Sequence, residues 1–463
     1  MQSPSDNAGF DRLALAPATL ANLRQLGYTA MTPIQAASLP AALAGRDLIA
    51  QASTGSGKTA AFGLALVERL NPRWFAVQGL VLCPTRELAD QVAAEIRRLA
   101  RARDNTKVVT VYGGVPSRGQ IASLENGAHI VVGTPGRVMD LLERGALDLS
   151  GLQTLVLDEA DRMLDMGFLA DIETVVRQCP AGRQTLLFSA TYPEGIAGLA
   201  RRFMREPQMV QVAAQHSASK IAQRWYEVDV REKRDAVARL LAHFRPESTI
   251  VFCNTKQQCR DVAGALQAQG FSALALSGDL EQRERDEVLV QFANKSCSVL
   301  VATDVAARGL DIAGLSAVIN VDVTPDPEVH IHRIGRTGRG DAEGLALNLV
   351  SMDEMGSVGR IEQLQGRASE FFPVDALAPA AGGALLPPMC TIQIIGGRKE
   401  KIRAGDVMGA MCADFGYARE QIGKISVNDF STYVAVDRTI AAQACARLNA
   451  GRVKGKAVKA RLL

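Results

Sequence analysis

The sequence predicts an α/β protein: two tandem parallel-sheet domains followed by a small α+β domain. Three observations lead there. Short apolar runs of strand length alternate with helix-patterned segments along most of the chain. A polar stretch around Ala213–Lys220 divides the alternation into two series. After a Pro-, Ala- and Gly-rich segment at Pro373–Pro388 the order changes to βαββαβ, the split ferredoxin-like arrangement. A length of 463 residues fits about three domains. With 47% hydrophobic and 22% charged residues, collagen-like, disordered and mucin-like chains are excluded.

The first series begins Asp47-Leu-Ile-Ala, Gly79-Leu-Val-Leu-Cys, Lys107-Val-Val-Thr-Val, His129-Ile-Val-Val, Thr154-Leu-Val-Leu and Thr185-Leu-Leu-Phe. Between these runs, Gly57–Leu70 and Thr85–Ala102 carry apolar residues three and four apart, as crossover helices do. Strand–helix alternation of this kind gives a parallel sheet covered on both faces, with ligands at the carboxyl ends of the strands. The second series runs through Trp225–Val230, Thr249-Ile-Val-Phe-Cys, Ala273-Leu-Ala-Leu, Ser298-Val-Leu-Val-Ala, Ala317-Val-Ile-Asn-Val and Leu345–Val350. The last module reads as strand Cys390–Ile395, a helix near Gly405–Ala413, strands Lys424–Val427 and Tyr433–Val436, helix Thr439–Leu448 and strand Ala457–Leu462. The expected boundaries are 1–212, 213–372, a linker at 373–388, and 389–463.

The net charge of +3 hides an asymmetry. From Pro387 onward, 13 Lys and Arg face 6 Asp and Glu, a net charge of +7, whereas the remainder of the chain is net −4. A compact basic module on a near-neutral body points to a polyanionic partner, with a solvated lysine-rich surface as the alternative. The eight cysteines form no CxxC pair and do not cluster with the five histidines at metal-ligand spacing, so reduced, mostly buried thiols are expected. Residues Met1–Phe10 lack the basic start and apolar stretch of a signal peptide. The uncharged run Ala376–Ile395 is interrupted by prolines and glycines that a spanning helix tolerates poorly. A cytoplasmic, monomeric protein with no membrane partner is the expectation.

The strongest local signal is Ala52-Ser53-Thr54-Gly55-Ser56-Gly57-Lys58-Thr59, which follows a predicted strand and opens a predicted helix. Gly55 and Gly57 free the backbone to turn its N–H groups inward, and the helix N-terminus favours an anion. Lys58 would reach the outer phosphates and Thr59 would ligate Mg²⁺. Ala52 departs from the strict pattern, which begins with glycine. About a hundred residues on, Leu155-Val-Leu-Asp158-Glu159-Ala-Asp161 places carboxylates just past an apolar strand. There Asp158 suits the metal, through water, and Glu159 suits activation of the attacking water. The second series lacks a phosphate loop but ends in His332-Arg-Ile-Gly-Arg336-Thr-Gly-Arg339. These arginines suit stabilisation of a phosphoryl group held by the other domain, with a solvated basic loop or an RNA-phosphate contact as the alternative. Two domains sharing one nucleotide would close when it binds and open when it is spent.

The order Gly27-Tyr28, Thr32-Pro-Ile-Gln35, Ala52–Thr59, Pro84-Thr-Arg-Glu-Leu-Ala89, Gly113-Gly114, Thr134-Pro-Gly-Arg137, Asp158-Glu-Ala-Asp161, Ser189-Ala-Thr191, Val251-Phe-Cys-Asn-Thr255, Ala302–Asp311 and His332–Arg339 resembles the DEAD-box RNA helicases. The resemblance implies two RecA-like lobes that bind ATP and RNA across their cleft. It implies that Phe10 stacks on adenine, that Gln35 reads its edge, that Ser53–Thr59 hold the phosphates with Mg²⁺, and that Asp311 meets the ribose. Ser189 and Thr191 would couple hydrolysis to lobe movement, and Arg336 and Arg339 would be arginine fingers. Arg86, Gly114, Thr134, Arg137 and Thr303 would line the RNA backbone path, supported by Gln282 and Arg285. Contacts to the backbone alone carry little sequence information. An ATP-gated RNA clamp would need the same motifs as a helicase.

The stretches Ile392–Gly409 and Ile422–Val436 are similar to the C-terminal, RRM-like domain of the bacterial DbpA-type helicases. That resemblance implies docking on a hairpin of 23S ribosomal RNA and a role in large-subunit assembly. An RRM normally stacks bases on aromatics of its central strands. Here Thr391–Ile395 has none, and only Tyr433 marks the third strand. The RNA contact is therefore expected at Arg398, Lys399, Lys401, Arg403, Lys454 and Lys456, with steep salt dependence.

Overall fold

The structure is a computed structural model that describes residues 9–52, 55–192, 194–212, 221–307, 314–338, 343–379 and 385–463. It divides into two compact units, one running to residue 216 and one beginning at residue 217.

The first unit is a seven-stranded, wholly parallel sheet. Its strands are β1 (Leu48–Gln51), β2 (Gly79–Leu82), β3 (Val108–Val111), β4 (Ile130–Gly133), β5 (Thr154–Leu157), β6 (Gln184–Ser189) and β7 (Gln208–Gln211), in the spatial order β3-β4-β2-β5-β6-β1-β7. The sequence analysis did not foresee β7, an edge strand with only Val210 buried. Strands β2, β4, β5 and β6 are buried along their whole length, which is why they read as continuous apolar runs rather than alternating ones. Their two faces enter separate cores. Leu48, Val81, Val132, Val156 and Phe188 pack on one side, and Leu80, Leu82, Val131, Leu155 and Leu187 on the other.

The second unit contains a six-stranded parallel sheet of β8 (Ile221–Glu227), β9 (Thr249–Phe252), β10 (Ala273–Leu276), β11 (Val299–Ala302), β12 (Ala317–Asn320) and β13 (Gly344–Val350). Its order is β10-β11-β9-β12-β13-β8. Residues 373–379, expected as linker, pack onto this lobe. Leu377 is buried in its core, and the Ala378 carbonyl lies 2.7 Å from Nδ1 of His243.

The C-terminal module is an antiparallel sheet of β14 (Met389–Ile395), β15 (Ile422–Val427), β16 (Ser431–Asp437) and β19 (Lys459–Leu462), ordered β15-β16-β14-β19. A small hairpin not anticipated from sequence, β17 (Arg452–Val453) with β18 (Lys456–Ala457), precedes the last strand. Helices Ala404–Gly409 and Ala441–Ala450 cover one face. The first helix ends in a wide turn closed by Phe415 N–H on the Ala410 carbonyl.

Candidate nucleotide and RNA sites

In the first unit every predicted site residue that is described, apart from Phe10 and Gln35, sits in or just past a loop leaving the carboxyl end of a strand. The phosphate loop leaves β1, Arg86 follows β2, Gly114 follows β3, Thr134 and Arg137 follow β4, Asp158 and Glu159 follow β5, and Ser189 and Thr191 end β6. A parallel sheet directs its strand ends to one edge, so residues up to about 140 positions apart in sequence share that edge. Ser53, Thr54, Asp311 and Arg339 lie outside the described residues.

Gln35 holds the phosphate loop from beneath. Its Oε1 accepts from Thr32 N–H at 2.9 Å, capping helix Pro33–Leu43, and its Nε2 donates to the Gly57 carbonyl at 3.1 Å. Gly57 is left-handed at φ 94°, and a Cβ there would stand 2.5 Å from Gln35 Nε2, so only glycine fits. Lys58 is buried, its ammonium donating to the Ala52 carbonyl at 2.9 Å, and half-buried Thr59 follows in the first helical turn. Phe10 does not stand free: it is 5% exposed, edge-on to Tyr28 at 6.1 Å within the core.

Asp158 is buried, and burial pushes its carboxyl up to about 7 against the pull of Lys58, with Glu159 adding to the rise. Its Oδ1 has no hydrogen-bond partner. A buried carboxylate oxygen left bare is costly, and this one fits a water-linked cation beside Lys58 and Thr59. Among the described residues no group of three or more His, Cys, Asp or Glu could hold a metal by itself, so such a cation would depend on water and substrate oxygens. Glu159 adopts a left-handed backbone, φ 51°, uncommon for a residue with a Cβ. Its carboxylate is held by the buried Arg162 at 2.8 Å.

Asp161 and Arg162 were not among the predicted site residues, yet they tie the site together. Asp161 Oδ2 accepts from Ala190 N–H at 3.2 Å, Thr191 N–H at 2.9 Å and the Thr191 hydroxyl at 3.0 Å, while Asp161 N–H donates to Ser189 Oγ at 3.3 Å. Burial raises this carboxyl, but the Thr191 hydrogen bonds, with Lys58 and Arg162 nearby, outweigh it and hold the group below its usual range. The available signal was the second acid three residues after Asp158.

On the same strand-end edge, Arg86 lies over the Tyr112 ring at 4.8 Å. Arg137 donates to Gln120 and to the Val115 carbonyl, both at 3.0 Å. Gly114 is exposed and left-handed at φ 77°. In the second unit, Gln282 and Arg285 lie on helix Gln282–Ala293, and Arg285 donates to the Ala306 carbonyl at 2.7 Å, beside Thr303 at the end of β11. Arg336 is mostly buried. The neighbouring Arg333 is instead a structural anchor, bonded to Asp304, Asn254 and the Asp322 carbonyl.

The C-terminal module assembles part of its expected cluster. Lys454 donates to the Lys401 carbonyl at 2.7 Å and Lys456 to the Glu400 carbonyl at 3.2 Å, so the β17–β18 hairpin lies on the loop that carries Lys401. Tyr433 is no exposed platform. It is 2% exposed, its hydroxyl accepting from Gln393 at 3.2 Å. Gln393 also donates to Glu287 at 3.1 Å and accepts from Arg461 at 2.6 Å, and Thr391 meets Asn294 and Ser296 at 3.1 and 2.6 Å. That end of the sheet face is therefore sealed against the second lobe.

A parallel sheet bearing this phosphate loop and acidic pair, a second such sheet, and an appended basic α+β module define a nucleotide-driven RNA remodelling enzyme. The chain belongs to the DEAD-box RNA helicases: the DEAD/DEAH box helicase model matches residues 32–199 and the helicase conserved C-terminal domain residues 232–341. Within that family it is of the bacterial DbpA type, since the DbpA RNA binding domain matches residues 391–462. It is 50% identical to the ATP-dependent RNA helicase DbpA of Escherichia coli (strain K12), over 97% of this chain and 98% of the relative. A DEAD-box ATP-dependent RNA helicase CshA from Geobacillus kaustophilus is 44% identical over 81% of this chain and 80% of its own. The structure of Saccharomyces cerevisiae Dbp5 bound to RNA and ADP BeF3 aligns with a TM-score of 0.72 and 31% identity, covering 79% of this chain and 96% of that one. The chain is an ATP-dependent RNA helicase with two RecA-like domains and a C-terminal RNA-binding domain.

Proposed function

We propose that the enzyme remodels 23S ribosomal RNA during assembly of the large ribosomal subunit, with residues 389–463 choosing the RNA and the two lobes, 1–212 and 213–372, opening short duplexes. The observation that carries this reading is the docking of Lys454 and Lys456 on the loop that bears Lys401, with Lys454 also paired to Asp406, on a module of net charge +7. Arg398, Lys399 and Arg403 extend it, and phosphate neutralisation by such groups gives salt-sensitive binding. Residues along the strand-end edge of the first lobe, Arg86, Gly114, Thr134 and Arg137, with Thr303, Gln282 and Arg285 of the second, hold the RNA backbone without reading sequence.

In the ATP site Lys58 and the backbone of the 53–59 loop bind the phosphates, and Gln35 fixes that loop and faces the base. Glu159, oriented by Arg162, takes the proton of the attacking water. Arg336 and Arg339 stabilise charge on the transferring phosphoryl group, and Asp311 meets the ribose. Mg²⁺, when bound, would neutralise phosphate charge; Thr59 would hold it and so, through water, would Asp158, whose Oδ1 has no hydrogen-bond partner. The eight cysteines are free thiols, five of them buried, which suits a reducing cytoplasm. Among the described residues no helix is long and apolar enough to cross a membrane. We infer a monomer.

Removal of residues 387–463 tests the assignment of specificity. The shortened chain should hydrolyse ATP with any single-stranded RNA and lose preference for a 23S fragment carrying the peptidyl-transferase hairpins. Retained preference would place specificity in the lobes.

A further inference from the structure

Successive residues of β14 face opposite sides of the sheet. Ile392 and Ile394 enter the module's core, whereas Thr391, Gln393 and Ile395 belong to the outer face. That face changes character within one step. Gln393 is 1% exposed under helix Gln282–Ala293 of the second lobe, while Ile395 is 61% exposed. Opposite Ile395 lie Ser431 on β16 and Lys459 on β19.

At this open end the β15–β16 turn presents Phe430, 66% exposed. The segment after Ile395 is bonded to that turn. Gly396 N–H donates to the Phe430 carbonyl at 3.0 Å, Arg398 N–H to Asn428 at 2.9 Å and Lys399 N–H to Asp429 at 3.0 Å. Gly397 permits the approach, for a Cβ there would stand 2.1 Å from the Asn428 carbonyl. Two large apolar side chains are thus left exposed on segments joined by backbone hydrogen bonds, with Lys459 opposite Ile395, exposed Arg398 and Lys399 on the bonded segment, and the Arg398 guanidinium 3.7 Å from Asp429. Scattered exposed apolar residues need no explanation, but an exposed aromatic ring on a turn bonded to a cation-bearing segment of an RNA-binding module matches the pairing of stacking surface and phosphate contact used for unpaired nucleotides.

We propose that Phe430, backed by Ile395, stacks on an unpaired base of the bound RNA while Arg398, Lys399 and Lys459 contact the adjoining phosphates. Tyr433, the aromatic of the third strand, is closed off, and Phe430 offers a ring from outside the strands. This inference rests on the reading that the C-terminal module grips structured RNA.

The test is equilibrium binding of the full-length protein to a labelled 23S fragment carrying the peptidyl-transferase hairpins, across a salt series. Phe430→Ala and Phe430→Leu should each weaken binding roughly tenfold, within the range for loss of one stacked base, and Phe430→Tyr should bind as the parent does. The slope against salt should be unchanged in all three, because no cation is removed. Parent-like binding by Phe430→Ala, or by Phe430→Leu, would overturn stacking. A Lys454→Ala/Lys456→Ala double variant separates the two readings. Its weakened binding and shallower salt slope, alongside an unaffected Phe430→Ala, would sink the stacking proposal alone, whereas parent-like behaviour of every variant would sink the module's RNA role as well.

Discussion

Thr191 donates both its backbone N–H, at 2.9 Å, and its hydroxyl, at 3.0 Å, to one carboxylate oxygen of Asp161. The bonded pair joins the loop after β6 to the helix turn that begins at Glu159, so the candidate water-activating acid and the Ser-Ala-Thr segment are linked through Asp161. Thr191→Val keeps the N–H bond and removes a hydroxyl bond to a charged carboxylate, a change of about 1.5–3 kcal/mol. ATP affinity should hold while duplex displacement per ATP hydrolysed falls severalfold. Equal losses in displacement and hydrolysis would show that the hydroxyl serves chemistry rather than transmission.

Glu159→Gln retains an oxygen for Arg162, so the left-handed turn and the buried contact should survive. ATP and RNA should still bind, with hydrolysis lowered about 10²–10⁴-fold, the contribution of a positioned general base. Single-turnover hydrolysis with a binding measurement checks both halves. Hydrolysis at the parent rate would remove Glu159 from the reaction.

His330 gives the second lobe a pH signature. Burial, with Arg333 adding to it, lowers its pKa to about 3, and the ring stacks on Trp225 at 5.3 Å while Nε2 lies 3.3 Å from Gln223. Its ordinary value is 6.5, so between pH 6.5 and about 3 the unfolded chain binds the proton that the folded lobe refuses. Stability is fully present above pH 6.5 and declines below it, by about 2 kcal/mol at pH 5. Unfolding followed by Trp225 fluorescence in a Trp74→Phe background should show this loss, and His330→Phe should flatten it.

Glu287 meets both Gln393 and Arg461, at 3.1 and 3.3 Å, and so fastens the module to the second lobe. Glu287→Ala leaves Gln393 short of an acceptor in a nearly dry contact, at a cost of about 1–3 kcal/mol. Hydrogen exchange at residues 391–395 and 431–435 should rise with no change at β9 or β12. Unaltered protection would mean that the module stays in place without this acid.

The parallel sheets were legible because doubly covered strands must be apolar throughout, and the predicted runs match β1–β6 and β8–β13 to within a few residues, with the largest offset at β8. The weakly apolar edge strand β7 and the two-residue strands β17 and β18 carry no such signal. Spacing and residue type single out Lys58, Asp158 and Glu159 as candidates, since phosphate and water impose those chemistries locally. Arg162 was hidden because its role depends on a buried ion pair, which sequence does not display. Tyr433 is closed off and Phe430 exposed for a similar reason: the sequence marks both as aromatic, but only tertiary contact decides which ring faces solvent.

The central claim is most directly tested by steady-state ATPase activity of the full-length protein at one fixed salt concentration, with generic single-stranded RNA in one arm and a 23S fragment carrying the peptidyl-transferase hairpins in the other. The account predicts half-maximal stimulation at a concentration of the 23S fragment at least about tenfold lower, as added stacking and phosphate contacts in the module would give. Equal stimulation at equal concentration would contradict it and reduce the C-terminal module to a general RNA anchor.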